Sequence, residues 1–255
     1  MFTVIVPTHK RPELLRRTLQ SLAAQTYKQF SVIIVDDAAS HIPPFAELLA
    51  LQGRYTHIIR SGVAGPAESR NMALSLVQST YVMFLDDDDT LEPEHLQSLA
   101  SYVEKSSPDI LFCDFKICDE DRTTTPPTQI STRAFSIADV TKDSVYIRNR
   151  IPNSCLAYRS NVVAHVLYET QMEIYEDWDF LLQCLNGHEL THAPVSSVTI
   201  HKSASNAPEN MRRGNTRDDL IVETMLYLYK KYPAPNTAIG VARQALMASA
   251  GIQID

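Results

Sequence analysis

Five short apolar runs alternate with helix-like stretches over the first 115 residues, and this alternation restricts the fold more than any other feature. The runs are FTVIV (2–6), SVIIVDD (31–37), THIIRS (56–61), TYVMFL (80–85) and DILFCDF (109–115). They are apolar and largely β-branched, as buried strands are. Between the first two, residues 11–25 carry Leu14, Leu15, Thr18, Leu19 and Leu22 at helical spacing, with Pro12 suited to a first turn. Residues 44–51, 66–78 and 93–105 read as further helices. A β-α-β-α order predicts an α/β fold with a mostly parallel central sheet and helices on both faces. Ligands of such sheets sit beyond the carboxyl ends of the strands. Thr8–His9–Lys10, Asp36–Asp37 and Asp86–Asp89 all fall at that edge.

The second half is less regular. Residues 119–135 are polar, contain two prolines, and read as an exposed insertion or linker. A strand is expected over 153–160, and an amphipathic helix over 175–187 that starts acidic and stops at Asn-Gly. APVSSVTIH (193–201) predicts a strand ending on His201, followed by a polar, mobile stretch over 202–217. Helices at 218–231 and 236–250 close the sequence.

The bulk numbers exclude several classes. At 255 residues, 44% apolar and 21% charged, the chain reads as one large soluble domain or a closely joined pair. A net charge of −7 argues against non-specific binding to nucleic acid. Cys113, Cys118, Cys155 and Cys184 form no C-x-x-C pair and read as scattered reduced thiols. No segment reaches the roughly 18 apolar residues of a membrane span. A strand-like FTVIVP directly after Met1 lacks a signal peptide's layout, so a cytoplasmic location is expected.

The chemistry concentrates in VMFLDDDDTLEP (82–93), where four carboxylates follow a buried strand. Adjacent carboxylates repel, so either a cation gathers them or they form a solvated turn; four at a strand's carboxyl end, matched by Asp36–Asp37, favour the cation. Hard oxygen ligands suit Mg²⁺ or Mn²⁺ together with substrate phosphates. In an extended stretch, residues two apart point to the same side, so Asp86-x-Asp88 can divide labour between a metal and a sugar hydroxyl. Asp87 and Asp89 stay open between capping the next helix and serving the site.

With PTHKRPELL (7–15), VDDAAS (35–40), GVAGPAESRN (62–71), the aspartate run and YEDWDF (175–180) in this order, the sequence resembles the inverting, nucleotide-sugar-dependent glycosyltransferases of family 2, which have the GT-A fold. The resemblance runs from residue 2 to about 110 and resumes near 148–202. It implies a nucleotide-sugar-binding half (1–115), an acceptor-binding and catalytic half of the same domain (116–217), and C-terminal helices (218–255). It implies that Pro7, Thr8 and Lys10 line the nucleotide base pocket, and that Asp37, with Asp36 beside it, accepts a hydrogen bond from uracil. Ala38 stands where the family usually has Gly, so the turn must avoid positive φ there. Arg70 matches the family's Ala-Arg-Asn element, with Ser69 in place of Ala, and would hold the pyrophosphate or order the aspartates. Asp88 would ligate the metal, Asp86 the ribose or sugar, and Asp87 would belong to the donor site. His201, within VTIHKSAS, would be a third metal ligand, although the family's neighbouring Tyr and Arg are missing. Arg212 and Arg213 would close over the donor diphosphate. Asp177 would be the catalytic base, with Asp179 as runner-up. Glu176 would orient its neighbours on the acceptor side, where Trp178 is either core or a floor for the acceptor sugar.

The expected reaction is transfer of a sugar from a UDP-sugar to a carbohydrate or lipid-linked acceptor, assisted by Mn²⁺ or Mg²⁺. A lipid-linked acceptor would bring the protein to the inner membrane face. Two rival enzymes fit poorly. A nucleotidyltransferase needs a glycine-rich loop after its first strand, and an NAD dehydrogenase needs G-x-G-x-x-G; neither is present. A catalytically inactive module that only binds a UDP-sugar is the remaining alternative.

Overall fold

The four apolar runs of the first 85 residues become four parallel strands of one sheet. In chain order, β1 (Phe2–Thr8), α1 (Pro12–Ala23), β2 (Phe30–Asp36), α2 (Phe45–Ala50), β3 (Tyr55–Ile59), α3 (Pro66–Leu74) and β4 (Tyr81–Phe84) alternate as the pattern requires. The structure, a computed structural model, describes residues 1–38, 43–204 and 218–254. Strands β1, β2, β3 and β4 pair in parallel in the order β3-β2-β1-β4. All of β1 is buried, which explains its unbroken apolar run. Helix α1 buries Leu15, Thr18, Leu19 and Leu22.

The chain continues through β5 (Thr90–Leu91), α4 (His95–Ser106), β6 (Ile110–Asp121), β7 (Thr128–Phe135) and the short α5 (Lys142–Val145). A 3-10 turn at Asn153–Cys155 leads into β8 (Leu156–Arg159), α6 (Ser160–Val163), α7 (Glu176–Cys184) and β9 (Leu190–Ser203). Helices α8 (Asp218–Lys231) and α9 (Thr237–Ser249) follow. The sheet runs β3-β2-β1-β4-β8-β6-β9-β5, with β7 also on β6. Thus the α/β fold with a mostly parallel central sheet is present, and β5, β7 and β8 are its antiparallel members. Strand β6 serves two neighbours along one edge. Ile110–Phe112 pair with β8, and Phe115–Asp121 pair with β7.

The stretch 119–135 is the main correction to the expected fold. It is not a linker but the tip and return strand of the β6–β7 hairpin. Strand β7 is exposed along nearly its whole length, so its sequence carries no apolar alternation. Its pairing with β6 and the stacking of Phe135 on Phe115 make it a strand. Helix α3 stops at Leu74 instead of 78, and Asn153–Cys155 form a 3-10 turn before β8. The four cysteines are free and buried. Among the described residues, no helix is long and apolar enough to cross a membrane.

Candidate active site

Register brings the first carboxylates together. Thr8 pairs with Asp36 at the carboxyl ends of β1 and β2, and Leu85 N–H donates to Ile5 O at the end of β4. The aspartate run then turns tightly, with Asp89 N–H donating to Asp86 O at 3.0 Å. The Thr18 hydroxyl lies 2.9 and 2.8 Å from the carbonyls of Asp87 and Asp89 and donates to them. This explains a threonine on the buried face of α1.

The cations that gather the aspartates come from the chain itself. Asp86 pairs with Arg70 at 2.9 Å. Asp87 pairs with Arg11 and accepts the Thr8 hydroxyl at 2.8 Å. Asp88 pairs with Arg122 at 3.1 Å and Arg11 at 3.5 Å. Asp89 accepts the Ser154 hydroxyl at 2.7 Å and the backbone N–H of His201 at 3.2 Å. Asp87, Asp88 and Asp89 are buried, whereas the Asp86 side chain is 25% exposed. Burial pushes the Asp87 carboxyl up to about 6, against the pull of Arg11. Neither Asp87 nor Asp89 caps α4, whose N-cap is Glu94. Oxygens of Asp86, Asp88 and Asp89 lie within 4.8 Å of one another. Hard, anionic and convergent, these three fit a divalent cation of the Mg²⁺ or Mn²⁺ type.

Arg70 joins this cluster to α7. Its guanidinium is 3.0 Å from Glu176, and it lies over the Tyr168 ring at 5.1 Å. Asp177 follows directly. Desolvation, with Glu176 and Asp86 adding to it against Arg70, raises its carboxyl to about 7. Helix α7 starts from Tyr175 in the left-handed region, at φ 62°, a sparsely populated conformation for a non-glycine residue. The next two side chains are buried. Trp178 is 1% exposed, with its indole N–H donating to Val145 O at 2.9 Å; it is core, not a floor for a sugar. Asp179 is fully buried and bonds Lys231 at 2.7 Å, Tyr232 OH at 2.8 Å and Gln183 at 2.8 Å. It ties α7 to Lys231 of α8 and to Tyr232 just beyond it.

The other sequence-predicted residues fall as follows. Pro7 is buried within β1, and Lys10 is exposed with φ 53°. Asp36 caps the following turn by accepting Ala38 N–H at 2.9 Å. Ala38 is not among the described non-glycine residues with positive φ, as its turn required. Asp37 is held by His9 at 2.6 Å, Gly65 N–H at 2.7 Å and Arg60 at 3.3 Å. His201 turns one ring nitrogen to Glu120 at 3.0 Å and the other to Thr90 at 2.9 Å. Arg212 and Arg213 lie outside the described residues, as does most of the stretch 202–217.

Sequence reading missed the supporting cations. Arg60 is buried, and besides Asp37 it donates to Val63 O at 2.8 Å, Gly65 O at 3.2 Å and Ser69 Oγ at 3.0 Å. It thereby fixes the loop entering α3, beside a cleft lined by Ala64, Gly65, Glu68, Gln171 and Glu176. Arg11, Arg17 and Arg122 were equally unmarked, because an arginine on the polar face of a helix or in a polar stretch has the same sequence signature as a solvated one.

Comparison with known proteins agrees with this architecture. The family model for Glycosyl transferase family 2 matches residues 3–165. An uncharacterized glycosyltransferase of Haemophilus influenzae is 26% identical over 237 residues, covering 88% of this chain and 76% of the relative. The succinoglycan biosynthesis protein ExoW of Rhizobium meliloti is 29% identical over 204 residues, covering 72% and 63%. Among solved structures, residues 1–349 of S. aureus TarS in complex with UDP-GlcNAc align with a TM-score of 0.70 at 17% identity, over 99% of this chain and 73% of that one. The mannosyltransferase PcManGT from Pyrobaculum calidifontis, in complex with GDP-Man and Mn²⁺, aligns with a TM-score of 0.60 at 16% identity, over 100% and 76%. At such identities the two structures speak to the fold alone.

Proposed function

The chain belongs to glycosyl transferase family 2, and from that premise we propose that it moves a sugar from a UDP-sugar to a hydroxyl of a carbohydrate or glycolipid acceptor, in one displacement with inversion. One observation carries the reading. Arg70 bridges Asp86 and Glu176, so two acidic motifs far apart in sequence share one charge network at the carboxyl edge of the sheet. One side of that network faces the leaving nucleotide, and the other offers a base. Asp177 takes the acceptor hydroxyl's proton as the new glycosidic bond forms and the bond to the diphosphate breaks. Its neighbour Glu176 orients Arg70, and Asp86 addresses the ribose or sugar. Asp37, with Thr8 and Lys10 nearby, receives the uracil. Asp88, with Asp89 beside it, would hold the divalent metal, and His201 would join them on leaving Thr90. When bound, the metal stabilises negative charge on the departing diphosphate. The UDP-GlcNAc bound by TarS and the Mn²⁺ bound by PcManGT support a UDP-sugar donor and a metal. ExoW's part in succinoglycan biosynthesis supports a polysaccharide-type acceptor.

A panel of UDP-sugars, scored by UDP release with and without acceptor and Mn²⁺, tests the reading. UDP binding without UDP release from any sugar would leave a binding module. Calorimetry adds a second check. UDP is expected to bind more tightly with Mn²⁺ than with EDTA, because the carboxylates repel an unaccompanied diphosphate; equal affinities would refute the metal assignment.

Arg60→Lys keeps the charge beside Asp37 but loses the fork that holds the 63–65 carbonyls. It is expected to weaken UDP binding by about 10–100-fold, the worth of one misaligned charge-assisted hydrogen bond of about 1.5–3 kcal/mol. Unchanged UDP affinity by calorimetry would show that Arg60 braces the loop only.

A further inference from the structure

We propose that Glu120 is the positioning residue that fixes both metal-facing groups, Asp88 and His201. This rests on the reading above, in which these two residues face a divalent cation. Glu120 lies near the end of β6, in the stretch that sequence alone reads as an exposed insertion or linker, and is 2% exposed. Three elements converge on its carboxylate. Arg17 of α1 donates to it at 2.6 and 3.2 Å, Arg122 of the hairpin turn at 2.8 Å, and the His201 Nδ1 of β9 lies at 3.0 Å. Both arginines then continue to Asp88. Arg17 donates to its backbone carbonyl at 3.1 Å, and Arg122 to its carboxylate at 3.1 Å. Arg122 also donates to His201 O at 3.0 Å. One buried carboxylate therefore sets the position of the Asp88 backbone, the Asp88 side chain and the His201 ring.

The same geometry selects the tautomer of His201. Arg17 and Arg122 both donate to the Glu120 carboxylate, which therefore stands opposite His201 as a hydrogen-bond acceptor. The proton of a neutral His201 must then sit on Nδ1. Nε2 keeps its lone pair, which accepts the Thr90 hydroxyl at 2.9 Å. A histidine that ligates through one nitrogen commonly donates the other N–H to a carboxylate, which fixes its orientation and raises its basicity. Cys118, Glu120 and His201 also lie close together. Glu120's oxygens, however, already take donors from both arginines and the histidine, so that grouping is explained without an ion.

Two measurements test the proposal. Long-range ¹H–¹⁵N spectra of the metal-free wild-type protein are expected to show His201 protonated at Nδ1 and bare at Nε2. A proton on Nε2 would overturn the proposal without any variant having to fold. Glu120→Gln is expected to weaken Mn²⁺ binding in the presence of UDP, followed by electron paramagnetic resonance, by about 10–100-fold, the usual cost of losing such a supporting carboxylate. UDP affinity in EDTA should not change, and Glu120→Asp should restore part of the Mn²⁺ affinity. Equal Mn²⁺ affinity in wild type and Glu120→Gln would overturn the proposal. A wild-type protein that binds no Mn²⁺ with UDP would instead refute the underlying metal reading.

Discussion

Asp177→Asn is expected to lower sugar transfer by about 10²–10⁴-fold, the usual worth of a general base, with UDP–Mn²⁺ affinity unchanged. Asparagine keeps the shape and accepts the Trp178 backbone N–H as the carboxylate does at 2.8 Å, but it cannot take a proton. The pH profile gives an independent check. Desolvation, the adjacent Glu176 and Asp86 raise this carboxyl to about 7, while Arg70 opposes them. Only the ionised form acts as base, so wild-type kcat/KM should rise with pH through about 7 and level off above it. The residual activity of Asp177→Asn should lack that limb. Stability should move the other way. A folded-state value raised from 3.8 to about 7 means that the folded protein binds more protons than the unfolded chain across that window. Ionisation therefore costs stability as pH rises through it, and asparagine removes that cost. At pH 8 the variant should melt above the wild type. A normal turnover number in Asp177→Asn would withdraw the base assignment, and because Asp179 is bound to Lys231 and Tyr232, it would not pass two residues along the chain.

The parallel half of the fold was legible because burial on both faces writes itself into composition: β1, β2 and β4 are nearly continuous apolar runs. Strand β7 left no such mark. It faces solvent, so its identity comes from pairing with β6, a contact that local sequence cannot encode. The direction of β8 was equally hidden, since four residues, LAYR, read the same in a parallel or antiparallel ladder.

In the site, the carboxylates and Arg70 were visible as motifs, and the other partners were not. Asp86–Asp89 stand out because like charges in a row demand an explanation. Arg70, Arg11 and Arg122 supply it by pairing with Asp86, Asp87 and Asp88, and neither Arg11 nor Arg122 carries a mark of that role in the sequence. Helix phase was a usable signal that went unread. Trp178, Leu181, Leu182 and Leu185 recur at helical spacing and are all buried, which assigns Trp178 to the core. The burial of Asp179 depends on Lys231 and Tyr232 of the C-terminal region, and no local pattern announces it.

Asp88→Asn is expected to abolish Mn²⁺ binding in the presence of UDP and to lower transfer by roughly 10²-fold or more, since a metal that stabilises developing charge is worth several kcal/mol. It should not leave the fold untouched. The Asp88 side chain is 2% exposed, and Arg122, itself 3% exposed, is its partner at 3.1 Å. Removing one member of a buried pair strands the other's charge, at a cost of about 3–5 kcal/mol. The lower end applies here, because Glu120 still faces Arg122 at 2.8 Å. Asp86→Asn separates the two effects. Asp86 is 25% exposed and pairs with Arg70, which keeps Glu176, so this variant should lose donor binding with little change in melting temperature. An Asp88→Asn protein that melts like wild type and binds Mn²⁺ with UDP normally would place the metal elsewhere, and would reduce the pairing with Arg122 to one that contributes nothing to the fold.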